Sequence, residues 1–113
     1  MAVTIYHNPK CGTSRDTLAL IRAAGQEPKI VEYLKTPLTK AELKALVKKA
    51  GVPVREIVRA KGALYDELHL DTASDEKLFD VMAEHPILVN RPIVETATRA
   101  KLCRPAEPVK DLL

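Results

Sequence analysis

Residues 4–17 read TIYHNPKCGTSRDT. Thr4-Ile5-Tyr6 is β-branched and aromatic, the composition of a short strand, here expected over Val3 to Tyr6. Asn8-Pro9 ends it, because Pro9 lacks an N–H and pushes Asn8 away from helical backbone. A helix is expected from about Thr13. Leu18 and Ile21 share one face, Leu20 and Ala24 a neighbouring one, and Gly25 closes it at the C′ position. Cys11 therefore falls between a strand and a helix. A redox pair would carry its second cysteine at position 14, which is Ser14.

A thiol becomes a nucleophile by losing its proton, and a free cysteine does so near a pKa of roughly 8.5. A helix N-terminus and nearby cations both lower that value. The amides of Gly12, Thr13 and Ser14 would point toward the Cys11 sulfur, Lys10 and Arg15 are close in sequence, and His7 lies four residues back. Free cysteines also serve as small buried apolar residues. The polar, glycine-containing start of this helix favours the reactive reading. His7 alone reads as a satisfied loop histidine. Ser14 is a helix-start hydroxyl that is also placed to hydrogen-bond a thiolate at Cys11. His69 and His85 carry no functional signal.

Two cysteine chemistries fail on spacing. C-x-x-C would need cysteine at 14, so no dithiol switch exists within the motif. A phosphatase-type loop would need arginine six residues after Cys11, and that residue is Thr17. A single activated thiol remains, with further reducing equivalents supplied from outside.

Beyond Gly25, Ile30 to Leu34 reads as a second strand. Thr39 and Glu42 fit a capping box ahead of a stripe of Leu43, Leu46, Val47 and Ala50, with Gly51 as the stop. Pro53 suits the first turn of a helix carrying Val54, Ile57 and Val58. Leu64, Leu68 and Leu70 support a short helical piece. Ser74 caps another helix, with Asp75 and Glu76 in its first turn and Leu78, Val81 and Met82 on its apolar side; His85-Pro86 stops it. Pro92 to Thr96 and Arg99 to Cys103 read as third and fourth strands, and Pro105 to Leu112 as a short terminal helix. The order is βαβ, several helices, then ββα. A right-handed parallel crossover opens the chain and an antiparallel pair closes its sheet. This is compatible with a thioredoxin-like α/β fold: a small mixed four-stranded sheet in one domain over 1–113, with a helical insertion at about 37–85. Such folds place their reactive thiol between the first strand and first helix.

The 113 residues are 46% hydrophobic, enough for a modest core, and the net charge of +3 is mild. The charge is spread along the chain, and only Tyr6, Tyr33, Tyr65 and Phe79 could stack on bases, so nucleic-acid binding is not expected. No stretch resembles a signal peptide or a membrane span, so the expected location is cytoplasmic, where thiols stay reduced. Cys11 and Cys103 are too few for a disulfide framework, and with His7 still too few for a structural zinc site. No metal is expected.

A tetrahedral oxyanion facing Cys11 calls for arginine, whose planar fork donates paired hydrogen bonds and keeps its charge. Arg59 follows Ile57-Val58, Arg91 precedes Pro92 at the start of the third strand, and Arg104 lies between Cys103 and Pro105. A proline entering that strand of a thioredoxin-like fold is typically cis and faces the active thiol.

Together, HNPKCGTSR (7–15), Arg59 in REIVRAK, HPILVNRPIV (85–94) and LCRP (102–105) closely resemble the glutaredoxin-dependent arsenate reductases. The resemblance covers nearly the whole chain. CGTSR alone is a weak motif; four blocks in order at compatible separations are specific. The resemblance implies a thioredoxin-like fold with a helical insertion and reduction of arsenate to arsenite. It implies glutathione as co-substrate and glutaredoxin as partner; no bound cofactor and a monomer are expected. It matches the nucleophile to Cys11, the oxyanion-binding arginines to Arg59, Arg91 and Arg104, and the residues that help lower the thiol pKa to His7 and Ser14. Cys103 matches a cysteine that is not the nucleophile and reads as a core residue. Some members continue past the position of Leu113 in a charged tail that carries none of these residues. The turn around Ala97 to Ala100 lacks the proline and glycine of close relatives, and Arg104 follows that turn. Two other readings belong to the same superfamily. One is a thiol-dependent reductase of another substrate. The other is a polymerase-binding redox regulator, whose C-x-x-C switch Ser14 would break.

Overall fold

Four three-residue strands form one sheet in the order β2-β1-β3-β4. They are β1 (Thr4–Tyr6), β2 (Lys29–Val31), β3 (Ile93–Glu95) and β4 (Ala100–Leu102). The computed structural model describes residues 2–60, 62–104 and 106–113. β1 runs parallel to β2 and antiparallel to β3, and β3 pairs antiparallel with β4. The mixed sheet and the βαβ…ββα order agree with the expected thioredoxin-like class.

Alternation along the strands divides the core in two. Ile5 and Val94 face each other in register and turn to one side. There they join Val3, Ile21, Cys103, Val109 and Leu112 beneath α1 (Gly12–Ala23) and the terminal 3₁₀ helix (Glu107–Leu112). Tyr6, Ile93 and Leu102 turn to the other side, against the larger cluster supplied by the insertion. That cluster includes Leu43 and Leu46 of α2 (Lys40–Ala50), Leu70, and Leu78, Val81 and Met82 of α4 (Asp75–Glu84). Both long insertion helices start as read from sequence. Thr39 and Glu42 make the reciprocal capping box on α2, and the Ser74 hydroxyl accepts from the Lys77 amide at 3.2 Å on α4. Caps of this kind are worth about 1 kcal/mol each. Gly51 ends α2 at φ 69°, a backbone that side chains disfavour.

Four expected elements change. The second strand stops at Val31 rather than reaching Leu34, because the Lys35 and Thr36 amides both donate to the Glu32 carbonyl at 2.9 Å. That turn carries the chain off the sheet edge. The helix expected after Pro53 is one 3₁₀ turn, Val54–Ile57; Val58 leaves it in extended backbone and bridges Val89. The short helical piece divides into α3 (Ala63–Glu67) and a 3₁₀ turn over Leu70–Thr72. The terminal helix is 3₁₀, and its expected first residue, Pro105, lies outside the described residues. Among the described residues no helix is long and apolar enough to cross a membrane.

The Arg55 guanidinium fastens the insertion internally, donating to the carbonyls of Leu70 at 2.9 Å and Ala73 at 2.5 Å. The unusual turn before β4 is closed by Thr96. Its amide donates to the Arg99 carbonyl at 2.7 Å, and its hydroxyl accepts from the Arg99 amide at 3.2 Å. A side-chain hydroxyl thus does the work that proline and glycine do in such turns.

Candidate active site

The loop between β1 and α1 is built by short-range hydrogen bonds. The His7 amide extends the β1–β2 ladder onto the Val31 carbonyl at 2.8 Å. Asn8 then folds the chain back: its Oδ1 accepts from the Lys10 amide at 3.0 Å and its carbonyl from the Cys11 amide at 3.0 Å. Cys11 is the N-cap residue, in extended backbone, and its carbonyl accepts the first helical bond from the Arg15 amide. The first amides of α1 are left facing the sulfur.

Burial alone would push the Cys11 thiol up. The Ser14 amide, the Arg104 guanidinium, the Arg91 charge and the Thr13 amide outweigh it, and the thiol lies below its ordinary value. Arg104 Nη1 is 3.5 Å from Cys11 Sγ and also donates to the Arg91 carbonyl at 3.0 Å. The cations acting on the sulfur thus come from the far end of the chain. Arg15, close in sequence, is spent on the Pro9 carbonyl at 3.1 Å.

The Ser14 hydroxyl is not directed at the thiolate as expected. It lies 2.6 Å from His7 Nδ1 and accepts from the Asn8 amide at 3.1 Å. Ser14 and His7 are 0% and 6% exposed. Burial holds His7 below its ordinary pKa, with Glu32 opposing and Arg22 and Arg15 assisting, so the ring is neutral. The ring and the Ser14 hydroxyl share one hydrogen bond, whose direction follows the imidazole tautomer, and the pair acts as a clasp that fixes the Cys11 loop. Ser14→Ala leaves His7 Nδ1 and the Asn8 amide without their buried partner. It should cost about 1–3 kcal/mol of stability, read as a lower urea midpoint. An unchanged midpoint would remove the clasp.

The arginines converge from two segments that pair with each other. Around the Val58–Val89 bridge, the Arg59 amide donates to the Leu88 carbonyl and the Asn90 amide to the Ile57 carbonyl, each at 2.7 Å. That short ladder sets Arg59 beside Arg91. The Arg91–Pro92 bond is cis, as the sequence led us to expect. A cavity of about 360 Å³ is lined, among the described residues, by Val58, Arg59, Ala60, Asn90, Arg91 and Arg104. Arg59 Nε and Arg91 Nε are both buried without a partner among the described residues. Buried donors left unpaired are costly, and a bound oxyanion would satisfy them. All six candidates lie in this region: Cys11, Arg59, Arg91 and Arg104 around the cavity and sulfur, His7 and Ser14 beneath the loop.

Asn8 and Asn90 were not read as site residues from sequence. Asn8 had only the signal of a strand breaker, and Asn90 only its place before Arg91. Cys103 is fully buried in the smaller core, where desolvation pushes its thiol up to about 11. Among the described residues no group of three or more histidine, cysteine or acidic side chains could hold a metal ion.

The two thiols should therefore separate on alkylation. In a Cys103→Ala background, the Cys11 rate with iodoacetamide should rise with pH and level off above a midpoint below roughly 8.5, the free-thiol value. Arg104→Ala should move that midpoint up. A midpoint at or above the free-thiol value would contradict an activated Cys11.

The ArsC family model matches residues 6–112. An arsenate reductase of Rhizobium meliloti (strain 1021) is 56% identical over 100% of this chain and 82% of its own length. An arsenate reductase of Escherichia coli (strain K12) is 50% identical over 98% of this chain and 80% of its own. A solved arsenate reductase from Vibrio cholerae superposes with a TM-score of 0.96 at 46% identity, covering 100% of this chain and 98% of that one.

Proposed function

The chain belongs to the ArsC family, and on that premise we propose that it is an arsenate reductase using glutathione and glutaredoxin, with Cys11 as nucleophile. One observation carries the reading: the lowered Cys11 thiol stands beside a cavity lined by Arg59, Arg91 and Arg104. Arsenate is a tetrahedral oxyanion with an electrophilic centre, and these are the groups that bind and attack one.

The Cys11 thiolate attacks arsenic(V) and forms a sulfur–arsenic bond, while one arsenic-bound oxygen leaves as hydroxide or, once protonated, as water. The guanidiniums hold the remaining oxygens and offset the charge that develops. The glutathione thiol then replaces a second oxygen in the same way. A glutaredoxin thiolate next attacks the glutathione sulfur. The sulfur–arsenic bond to glutathione breaks with its electron pair left on arsenic, giving a mixed glutaredoxin–glutathione disulfide and arsenic(III) on Cys11. Hydrolysis releases arsenite and restores the Cys11 thiol. Ser14 in place of a second cysteine supports the need for external thiols. Every group in this scheme other than the co-substrates comes from one chain, which supports a monomer as the working unit. The reduced thiol that the cycle requires suits a cytoplasmic location.

The test is NADPH consumption by purified protein with arsenate, glutathione, glutaredoxin and glutathione reductase. Consumption should depend on arsenate and on each thiol component. Arsenate-independent or absent consumption would favour a thiol-dependent reductase of another substrate.

A further inference from the structure

We propose that the Asn90 side-chain amide is a further substrate-binding group of this site, a neutral NH₂ donor that hydrogen-bonds an arsenic-bound oxygen beside the guanidiniums. The proposal rests on the reading of Cys11 and the arginines as an arsenate site, and adds to it a group that orients the anion without adding charge.

Backbone pairing places the residue. Asn90 follows Val89, which bridges Val58, and its amide donates to the Ile57 carbonyl at 2.7 Å. The Arg59 amide, bonded to the Leu88 carbonyl, fixes the other side of the same bridge. Arg59 and Asn90 thus leave the short ladder at one place, and Arg91 comes next in the chain. Asn90 is half-buried and lines the cavity of about 360 Å³ together with Arg59, Arg91 and Arg104.

One contact sets the direction of the side chain. The Arg91 amide donates to Asn90 Oδ1 at 3.1 Å. A backbone N–H can only donate, so the oxygen of the side-chain amide is the end that faces it, and the NH₂ group is the opposite end. That bond is the one the Asn90 side chain makes among the described residues, which leaves both NH₂ protons to find an acceptor. Nδ2 is not sealed inside the protein as Arg59 Nε and Arg91 Nε are. It reaches open volume, and the open volume that Asn90 borders is the cavity. The other side chains there are three guanidiniums, which only donate, and the apolar Val58 and Ala60. An oxygen of the bound anion is the acceptor that remains. Because the oxygen end is already held, the donor is oriented before the substrate arrives. As Cys11 displaces an oxygen, this hydrogen bond strengthens with the negative charge that collects on those left. No bond to Asn90 is made or broken.

Asn90→Ala removes the side-chain amide and leaves the backbone bond to Ile57 in place. With saturating glutathione and glutaredoxin, kcat/KM for arsenate should fall about tenfold or more. The arsenate concentration that protects Cys11 from iodoacetamide should rise by a similar factor. The pH midpoint of that alkylation, measured without arsenate, should stay at the wild-type value. This midpoint separates two roles, because the Arg91 charge lowers the Cys11 thiol. A midpoint raised as in Arg91→Ala would mean that Asn90 acts by holding Arg91, and would overturn the proposal. Asn90→Ser keeps an oxygen near the Arg91 amide and withdraws the donor from the cavity, so its loss should match that of Asn90→Ala. Wild-type turnover and protection in either variant would overturn the proposal while leaving the arsenate site standing. If arsenate gave the wild-type protein no protection, the arsenate-site reading would fall, and this proposal with it.

Discussion

Replacing Cys11 by serine is expected to abolish arsenate-dependent NADPH consumption, a loss of at least about 10⁴-fold, within the range seen when a covalent nucleophile is removed. Serine keeps the size and hydrogen-bonding capacity of the side chain but does not ionise near neutral pH. The helix-start amides and Arg104 stabilise a thiolate, and they cannot bring a hydroxyl to the same state. The loop should survive the change, because its hydrogen bonds run through Asn8, Ser14 and the Cys11 backbone. Cys103→Ala serves as the control. That thiol is buried among Val3, Ile5, Ile21 and Val94 and is pushed up to about 11, so its loss should lower stability and spare turnover. Activity surviving Cys11→Ser would remove the nucleophile assignment.

The second large effect is expected at Arg91. Arg91→Ala should lower kcat/KM for arsenate by about 10²–10³-fold, the usual cost of one preorganised donor at a developing oxyanion. Its side chain does two things: it carries a buried Nε with no partner among the described residues beside the cavity, and its charge lowers the Cys11 thiol. The variant should therefore also show a higher alkylation midpoint. Its fold should hold, since the local hydrogen bonds use the Arg91 backbone, from its amide to Asn90 Oδ1 and from Arg104 to its carbonyl. Arg91→Lys restores the charge without the fork, so the thiol midpoint should recover more than turnover does. Equal recovery of both would mean that Arg91 acts through its charge alone. Wild-type turnover in Arg91→Ala would remove it from the clamp.

Much of the fold was legible because its signals are local. The Thr39–Glu42 box, the Ser74 cap and the glycine stop at Gly51 depend on neighbours within a few residues, and the structure shows all three. The second strand was misjudged for the opposite reason. Ile30 to Leu34 has strand composition, but a turn centred on the Glu32 carbonyl removes its second half. Val58 looked helical beside Ile57, yet its partner is Val89, thirty-one residues further on, and no local pattern announces that bridge.

The same division holds for the site. Cys11 at a helix start was readable from Pro9 to Arg15. The arginines were singled out by their neighbours, but their convergence depends on the Val58–Val89 ladder and on Arg104 reaching back across the Arg91 carbonyl. The Ser14 hydroxyl was expected to face the sulfur and instead bonds His7, a contact that requires the loop to fold back on itself.

The most direct test of the account is to locate arsenic on the protein during the reaction. Wild-type enzyme incubated with arsenate and glutathione, without glutaredoxin, should be examined by native mass spectrometry with fragmentation. The account predicts an arsenic–glutathione adduct on a fragment containing Cys11, absent in Cys11→Ser and discharged when glutaredoxin is added. Arsenic bound at Cys103, or an adduct that persists in Cys11→Ser, would contradict it.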